Sequence, residues 1–226
     1  DPDLALLLKT RREQGRYPPF VAADAELRAD PRRYWPSART VVCLAVPYRA
    51  GHSDPPSRGF WGLVARSLAG PDYHQVVKAK IDRLVSLMLA AGVRFSHRQA
   101  WVDAVPPVER ALASKAGLGF FGRNCCLIHP GAGSWFWLGE LVLDTELPSS
   151  LVPPTRSFPA DPCGSCRRCL EACPTGALSA PYELDPYRCL SYWTQARGVI
   201  PREYRPLIGN RLMGCDTCQE VCPYNV

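Results

Sequence analysis

The sequence predicts an α+β fold in two domains, and three observations support this. Residues 41–46 form a short, wholly apolar run of the kind found in buried strands. Apolar residues recur at helical spacing over residues 73–91, and a glycine follows them as a helix C-cap. Seven cysteines lie in two groups in the last third of the chain, behind a proline-rich segment. We therefore expect one domain over residues 1–154 and a smaller, cysteine-rich domain over residues 155–226.

The remaining elements ahead of the cysteines follow from similar signals. A helix with a proline-broken continuation opens the chain, an alternating segment predicts a strand, and a further helix follows a proline pair and ends before a glycine. Two later apolar segments are expected to pair as strands around a Pro-Gly turn, ahead of a proline-rich linker. In order, these elements cover residues 1–35, 96–105, 108–116, 126–129 with 135–143, and 148–162.

One glycine motif points away from the function that it usually indicates. Residues 117–122 satisfy G-x-G-x-x-G, the fingerprint of dinucleotide binding. That fingerprint requires a strand before it and a helix after it, whereas here a predicted helix precedes and a predicted strand follows. The sequence therefore predicts a glycine loop that lets the backbone approach some other cofactor.

The cysteine spacing is the most specific signal in the chain. Four cysteines and a proline spell C-x2-C-x2-C-x3-C-P, the run that binds [4Fe–4S] clusters in bacterial ferredoxins. A second run lacks only the first cysteine, and one further cysteine upstream can supply the missing thiolate. The two groups are Cys163, Cys166, Cys169 and Cys173, then Cys189, Cys215, Cys218 and Cys222. Together they provide enough thiolates for two clusters.

The cysteine before each proline is expected to ligate the other cluster, as it does in two-cluster ferredoxins. This predicts Cys163, Cys166, Cys169 and Cys222 on one cluster, and Cys173, Cys189, Cys215 and Cys218 on the other. Zinc fits less well, because its structural sites take cysteines or histidines in pairs. Disulfides would require an oxidising compartment. The sequence thus predicts a low-potential redox protein in the reducing cytoplasm.

The composition argues against a membrane protein and leaves the meaning of the charge open. No apolar run of about 18 or more residues occurs, and no signal-peptide pattern opens the chain. The first residue is Asp1 and not methionine, which suggests a trimmed N-terminus. The net charge of +6 is carried mostly by arginine. The arginines either form a solvent-exposed charged surface or bind a polyanionic partner.

Several segments resemble the epoxyqueuosine reductase family. The resemblance is carried by residues 101–110 (WVDAVPPVER), 116–124 (AGLGFFGRN) and 133–140 (GSWFWLGE), by shorter matches at 29–32, 70–74 and 208–216, and by the eight cysteines. It covers nearly the whole chain. It implies a nitroreductase-like α/β domain that binds cobalamin, followed by a ferredoxin-like domain with two [4Fe–4S] clusters.

The resemblance also implies an activity and its partners. The family removes the epoxide oxygen of epoxyqueuosine in the tRNA anticodon stem-loop and so produces queuosine at the wobble position. Iron–sulfur clusters move single electrons, whereas this deoxygenation takes two electrons and protons, and a cobalt corrinoid bridges that mismatch. We therefore expect tRNA as the substrate, a low-potential electron donor, and a monomeric enzyme in the cytoplasm.

Asp103 matches the position of the family's proposed proton donor. Opening an epoxide leaves an alkoxide, and an acid held beside it speeds the reaction. For that role Asp103 needs a raised pKa, which burial beside a corrin and aromatic rings would supply. The alternative is a purely structural aspartate that caps a helix or forms a turn.

Contacts to cobalamin are implied by the family's matching loops and by the residues near the clusters. No histidine occupies a cobalt-ligand motif, which favours a base-off cofactor. The implied contacts are Arg66, Trp101, Asp103, Asn124, Ser134, Leu138, Ser191, Tyr192, Arg211 and Asp216.

Two other functional classes remain as alternatives. Reductive dehalogenases also combine a corrinoid with two [4Fe–4S] clusters, but they usually carry a twin-arginine export signal and a different acid. A plain ferredoxin-type electron carrier would need only the cysteine-rich domain and would leave the first 150 or so residues unexplained. Cobalamin binding separates the electron carrier from the two enzymes, and substrate turnover separates those enzymes from each other.

Overall fold

The computed structural model describes residues 1–48, 59, 61–148, 158–159 and 161–225. It confirms the α+β class. In chain order, the helices of these residues are α1 (Pro2–Glu13), α2 (Ala25–Ala29), α3 (Pro31–Tyr34), α4 (Tyr73–Ala90), α5 (Glu109–Lys115), α6 (Arg168–Ala172), α7 (Leu190–Trp193), α8 (Arg205–Ile208) and α9 (Thr217–Glu220). The strands are β1 (Thr40–Pro47), β2 (Leu63–Val64), β3 (Arg98–Trp101), β4 (Phe120–Phe121), β5 (Leu127–Ile128), β6 (Phe136–Leu143), β7 (Leu178–Ala180), β8 (Glu183–Leu184) and β9 (Arg211–Met213).

The chain divides into two compact units, each assembled from three segments. The first unit contains Asp1–Val46, Pro71–Gly119 and Phe136–Phe158, and the second contains Pro47–Gly70, Phe120–Trp135 and Pro159–Val226. This differs from the single boundary expected between residues 154 and 155, because two earlier segments join the cysteine-rich region. The expected linker over residues 148–162 lies mostly outside the described residues.

The first unit is built around a three-stranded sheet in the order β1-β6-β3. Strand β3 runs antiparallel to β6, and Trp101 lies opposite Glu140. Because side chains alternate along a strand, β6 contributes buried residues to both faces of the sheet. Leu141 and Leu143 pack in the cluster that holds the buried residues of α4, whereas Val142 packs with Trp101.

The second unit consists of short elements around a small apolar cluster. Its sheets are two-stranded: β4–β5 and β7–β8 are antiparallel, and β2–β9 is parallel. The cluster contains Leu170 and Leu178, and three of the motif cysteines join it, namely Cys169, Cys173 and Cys218. The cysteine-bearing segments therefore form part of the core of this unit.

Most predicted elements of the first unit are confirmed, and two are corrected. The buried strand at 41–46 is β1, and the helices predicted at 73–91 and 108–116 are α4 and α5. The strand predicted over 96–105 is shorter, because the Ser96 and His97 N–H groups bond to the Asp144 carboxylate and the chain bends after Trp101.

The hairpin predicted from residues 126–129 and 135–143 is wrong. Strand β5 pairs with β4, and β6 pairs in the sheet of the first unit. Only an isolated bridge from His129 to Gly133 joins the two sides of the expected turn. Both segments do form apolar strands, but the strands that they pair with lie elsewhere in the chain.

The context of the glycine motif at 117–122 is confirmed as unlike a dinucleotide site. Helix α5 precedes it, and strand β4 lies within it. In the part of the chain that the structure describes, no helix is long and apolar enough to cross a membrane.

Gly139 allows α4 to pack closely against strand β6. A Cβ atom at this position would collide with Val77 Cγ1 and lie 3.4 Å from Ile81 Cδ1. We expect Gly139→Ala to destabilise the protein by about 2 kcal/mol, because overpacking a tight core forces side chains from their preferred positions. Thermal unfolding of the anaerobic protein measures this, with Gly131→Ala as the control, since its nearest atom would be 3.6 Å away. Equal melting temperatures for the two variants would contradict the expectation.

Candidate functional site

Asp103 lies in a bend directly after β3, with its backbone in the left-handed region at φ +50°. Non-glycine residues persist there only where their surroundings hold them. The Asp103 N–H donates to Glu109 Oε1. Its Oδ2 accepts a hydrogen bond from the Tyr73 hydroxyl at 2.6 Å. These bonds fix the backbone and the carboxylate of Asp103, while the residue itself stays exposed.

Tyr73, the first residue of α4, is held by aromatic contacts. Its ring stacks on Trp137 at a centroid distance of 6.0 Å and on His74 at 4.1 Å. Burial raises the pKa of the Tyr73 hydroxyl, and its hydrogen bond to Asp103 and the charge of that carboxylate raise it further. The phenol therefore stays protonated and acts as a donor to Asp103.

Two further carboxyl groups lie on the inner side of this bend. Glu109 is the half-buried first residue of α5, whose N-terminal end favours negative charge. Glu140 lies in β6 and is 0% exposed. Its carboxyl interacts with that of Glu109, and neither of its oxygens makes a close hydrogen bond to any other described residue. A fully buried acid without a cationic partner is costly when ionised.

The surroundings of Glu109 and Glu140 favour one proton being retained on this pair of carboxyl groups. Burial raises the pKa of Glu140, and the neighbouring charges of Glu109 and Asp103 raise it further. Burial also raises the pKa of Glu109, against the opposing effect of the Asp103 N–H that it accepts. Burial and the charges of Glu140 and Glu109 raise the pKa of the Cys43 thiol. Two close carboxyls in a poorly solvated site do not both ionise at neutral pH.

The structure qualifies the two sequence interpretations of Asp103. The residue is not the cap of α5, because the N-cap is Val108. It also is not buried by the protein, so any desolvation of the carboxyl must come from a bound group. The aromatic ring that reaches it belongs to Tyr73.

The first predicted set of cysteines lines one cavity. This cavity, of about 240 Å³, is lined by Cys163, Cys166, Cys169 and Cys222, together with residues that include Arg123, Arg168 and Tyr224. The Cys166 N–H donates to the Cys163 carbonyl at 3.0 Å and closes a tight turn. Burial raises the pKa of Cys222, and the nearby charges of Cys163 and Cys166 raise it further. A hydrogen bond from the Tyr224 N–H acts in the opposite direction. Four thiols thus face one space of a size suited to a compact inorganic group.

The second predicted set is also brought together. Burial raises the pKa of Cys189, and the nearby charges of Cys215 and Cys173 add to it. The pKa of Cys218 is raised first by a hydrogen bond with Cys126, then by burial and by neighbouring thiols that include Cys189 and Cys215. All of these cysteines are free thiols. Among the described residues, no group of three or more histidine, cysteine or acidic side chains is arranged to hold a single metal ion.

Backbone N–H groups point at the sulfurs. Burial raises the pKa of Cys173, but N–H groups that include those of Leu178 and Thr175 lower it below its ordinary value. N–H groups of Ser191 and Tyr192 act on Cys189 in the same sense. Such hydrogen bonds stabilise thiolates and tune the potential of iron–sulfur clusters. The thiol-bearing loops are therefore suited to thiolate ligation.

The implied corrin contacts divide between the two units. Trp101, Asp103 and Leu138 lie in the first unit, and the others lie in the second. Trp101 is 2% exposed, and its indole N–H donates to Gln99 Oε1 at 2.7 Å. This tryptophan is a core residue of the first unit, whereas Leu138 is half-buried in β6.

Arg66 and Asp216 are bonded to each other. The Arg66 N–H donates to Asp216 Oδ2 at 2.7 Å. The Arg66 guanidinium lies 4.6 Å from the centre of the Trp135 ring and donates to Glu220 Oε1 at 3.1 Å. Sequence matches implied these two residues separately, and the structure shows that they form one contact.

Asn124 and Ser134 are buried and fixed by the segment that carries the second cysteine run. Asn124 Nδ2 donates to the Cys218 carbonyl at 3.2 Å, and its Oδ1 accepts the Cys126 N–H at 3.1 Å. Ser134 Oγ bonds to Gln219 Oε1 at 2.8 Å. Both side chains therefore hold the loops around the cysteines in place.

The last three implied contacts lie on the elements around β9 and α7. Arg211 donates to Thr217 Oγ1 at 3.1 Å. Ser191 Oγ accepts from Gln195 Nε2 at 3.0 Å. Tyr192 is half-buried and packs edge-on against its aromatic neighbours in the second unit.

Sequence reasoning missed the contribution of three residues around Asp103. Tyr73 and Glu140 enter the sequence analysis only as parts of matching segments, and Glu109 enters it only within such a segment and the helix predicted over residues 108–116. One signal for Glu140 was available, since it is a lone acid among the apolar residues of a buried strand. No local pattern indicates that Tyr73 and Glu109 converge on Asp103.

Glu140 gives stability a distinctive pH dependence. Its folded pKa is raised above the ordinary value, so its contribution is present at acidic pH and is lost as the pH rises towards the folded pKa. Between pH 5 and pH 8 we expect the stability of Glu140→Gln to rise by about 4 kcal/mol relative to the wild type, because these three pH units lie below a folded pKa of about 9 and each is worth about 1.4 kcal/mol. Urea unfolding across this range measures it. Glu146→Gln, at an exposed position, is the control, and parallel wild-type and Glu140→Gln curves would contradict the expectation.

Two family models match this chain. The model described as a 4Fe-4S double cluster binding domain matches residues 162–225. The model described as epoxyqueuosine reductase QueG, DUF1730, matches residues 28–104. The first match covers the predicted cysteine ligands and supports two [4Fe–4S] clusters.

Relatives and solved structures agree with these models. An epoxyqueuosine reductase from Pseudomonas aeruginosa is 39% identical over 213 residues, which cover 91% of this chain and 56% of that protein. A crystal structure of epoxyqueuosine reductase with a tRNA-Tyr epoxyqueuosine-modified stem loop is 36% identical, with a TM-score of 0.85 over 99% of this chain and 58% of that chain. A Bacillus subtilis epoxyqueuosine reductase whose aspartate-bearing catalytic loop is swung out of the active site is 36% identical, with a TM-score of 0.83 and the same coverage. This chain, which spans somewhat more than half the length of these proteins, is therefore a relative of the epoxyqueuosine reductases.

Proposed function

We propose that this chain catalyses the reduction of epoxyqueuosine to queuosine at the wobble position of tRNA. The observation that carries the proposal is the Asp103 bend, in which a carboxylate is exposed and oriented by Tyr73. The relatives that share its sequence are epoxyqueuosine reductases, and one of them is solved with an epoxyqueuosine-modified stem loop. Because the chain spans only part of their length, its activity is a proposal.

In this mechanism Asp103 is the general acid. Opening the epoxide places negative charge on its oxygen, and a proton delivered in the same step stabilises the product. The Tyr73 hydroxyl donates to Asp103 Oδ2 and leaves Oδ1 to carry that proton. Binding of the substrate and cofactor would exclude water from the exposed carboxyl.

The eight motif cysteines would hold two [4Fe–4S] clusters, through which electrons from an external donor would pass. We propose Cys163, Cys166, Cys169 and Cys222 for one cluster, and Cys173, Cys189, Cys215 and Cys218 for the other. The cavity lined by the first four thiols and the mutual electrostatic effects within the second set support this grouping. A low-potential donor, still to be identified, would reduce the clusters one electron at a time.

Base-off cobalamin is the proposed second cofactor, held by a nitroreductase-like part of the chain. When bound, cobalamin supplies a cobalt centre that converts single electrons into two-electron chemistry. The residues fit a large cofactor with polar edges, because the buried Trp135 Nε1 beside Ser134 has no hydrogen-bond partner among the described residues, and Asn124, Ser134 and Asp216 are held in fixed positions. Fixed polar groups bind with little reorganisation.

The tRNA anticodon stem-loop is the proposed substrate, and the cytoplasm is the proposed compartment. The chain carries a net charge of +6, mostly from arginine, which favours contact with a phosphate backbone. Cobalamin contacts at the residues implied by the resemblance, and a monomeric state, are part of the same proposal.

Replacing the acid tests the mechanism. We expect Asp103→Asn to lower kcat for queuosine formation by about 100-fold or more, since an asparagine cannot donate the proton and general acids contribute about 100-fold to 10,000-fold. The measurement is queuosine formation within an epoxyqueuosine-bearing stem-loop, by mass spectrometry, under anaerobic conditions with cobalamin and a low-potential reductant. Asp3→Asn, an exposed position in α1, is the control. Normal turnover by Asp103→Asn would remove Asp103 from the mechanism.

Paired cysteine variants test the interleaved assignment. If Cys163 and Cys222 share a cluster, the double variant Cys163→Ser/Cys222→Ser should keep about half of the iron, because the other cluster retains all its ligands. Cys163→Ser/Cys173→Ser should lose nearly all of it. Iron analysis and electron paramagnetic resonance measure both, and Cys43→Ser, outside the motifs, should keep all the iron. The opposite pattern would indicate that each run ligates its own cluster.

A further inference from the structure

The buried pair Glu109 and Glu140 takes no part in the chemistry proposed above. Glu140 is fully buried in the central strand of the sheet, and its carboxyl interacts with that of Glu109. Burying a carboxylate without a cationic partner is costly, which favours a retained proton on the pair. Its charge is coupled to Glu109 and Asp103, which places the pair against the bend that carries the proposed acid.

We propose that Glu109 and Glu140 are positioning residues that share one proton and hold the Asp103 bend in its left-handed conformation. Glu140 carries the proton, and Glu109 remains the carboxylate that accepts the Asp103 N–H. The catalytic consequence rests on the proposed function, whereas the shared proton and the held bend do not.

The surroundings decide which member of the pair carries the charge. Glu109 is the first residue of α5, where the helix dipole favours an anion. It accepts the Asp103 N–H, and the charge of Arg110 also favours its ionised form. Glu140 lies inside the sheet, where burial and the charges of Glu109 and Asp103 all favour its protonated form. The proton therefore stays on Glu140.

The ionised Glu109 explains how Asp103 keeps an unfavourable backbone conformation. A left-handed non-glycine residue costs about 1 to 3 kcal/mol. A hydrogen bond from an amide to a carboxylate is stronger than one to a neutral acceptor. Tyr73 holds the side chain of the same residue through a separate bond. The bend is thus fixed at two points, one on the backbone and one on the carboxylate.

The Glu109–Glu140 pair holds the bend only within a pH range, because two coupled acids titrate in two steps. Below the lower step Glu109 is protonated and becomes a weaker acceptor. Above the upper step both acids are charged and repel each other. The other groups that face the pair are Cys43 from β1, Tyr73 from α4, and Asp103 with Arg110 from the bend and α5. The Tyr73 hydroxyl and the Cys43 thiol, both with raised pKa, stay neutral over this range.

Two measurements test the pair without substrate or cobalamin. Hydrogen exchange at the Asp103 amide should be about tenfold faster in Glu109→Leu, which removes the acceptor, and about threefold faster in Glu109→Gln, which keeps only a neutral acceptor oxygen. Infrared spectra at pH 7 should show a protonated-carboxyl band that is lost in Glu140→Gln and kept in Glu146→Gln.

The outcomes separate the proposal from its rivals. Equal exchange in Glu109→Leu and the wild type would overturn the role of Glu109, because the bend would then be held without it. A protonated-carboxyl band that survives in Glu140→Gln would overturn the location of the proton. Because Glu109→Leu could perturb α5, the Glu109→Gln variant keeps the test interpretable, since it fills the same space.

A kinetic measurement links the pair to the proposed function. In the stem-loop assay, Glu109→Leu should lower kcat at least tenfold with little change in KM, and Glu109→Gln should restore most of it while narrowing the pH profile. If exchange and infrared results agree with the proposal but kcat is unchanged, the pair holds the bend and Asp103 is not the acid. That result would contradict the proposed function and leave the positioning role intact.

Discussion

The structure of the second unit depends on one constraint, the convergence of thiols from distant parts of the chain. Its elements are two-stranded sheets and helices of a few residues, and its apolar cluster includes cysteines among its members. Such elements bury too little apolar surface to be stable alone. Polar contacts such as Asn124 to the Cys218 carbonyl and Ser134 to Gln219 connect the loops around the sulfurs. Metal binding would complete this unit, since the free energy of ligation adds to that of folding.

The first unit is stabilised differently, by an ordinary apolar sheet that contains one energetically unfavourable residue, the buried Glu140. Leu141 and Val142 pack as strand residues should, and Gly139 admits α4 closely on one side. Glu140, between Gly139 and Leu141, is a buried acid. Stable cores rarely contain such a residue, and departures of this kind concentrate at functional sites. We propose that the buried acid helps to hold the neighbouring Asp103 bend.

Much of this architecture could be predicted from sequence, and the failures share one cause. Regular elements such as β1 and α4 have local signals, and the cysteine motif is local as well. Asp103 was found because a segment around it matches a family. The contacts of Asp103 with Tyr73 and Glu109, the pairing of β4 with β5, and the exchange of segments between units depend on approaches over long sequence separations. Periodicity and spacing carry no information about such approaches.

The cavity that gathers Cys163, Cys166 and Cys169 also requires Cys222, which emerges much later during synthesis. A nascent chain that has displayed the first run therefore still lacks a wall of this cavity. Any cofactor delivered early would meet an incomplete set of thiols exposed to oxidation and exchange. Assembly of this cluster is thus expected to follow translation of residue 222, whereas the thiols proposed for the other cluster are complete once residue 218 has been made.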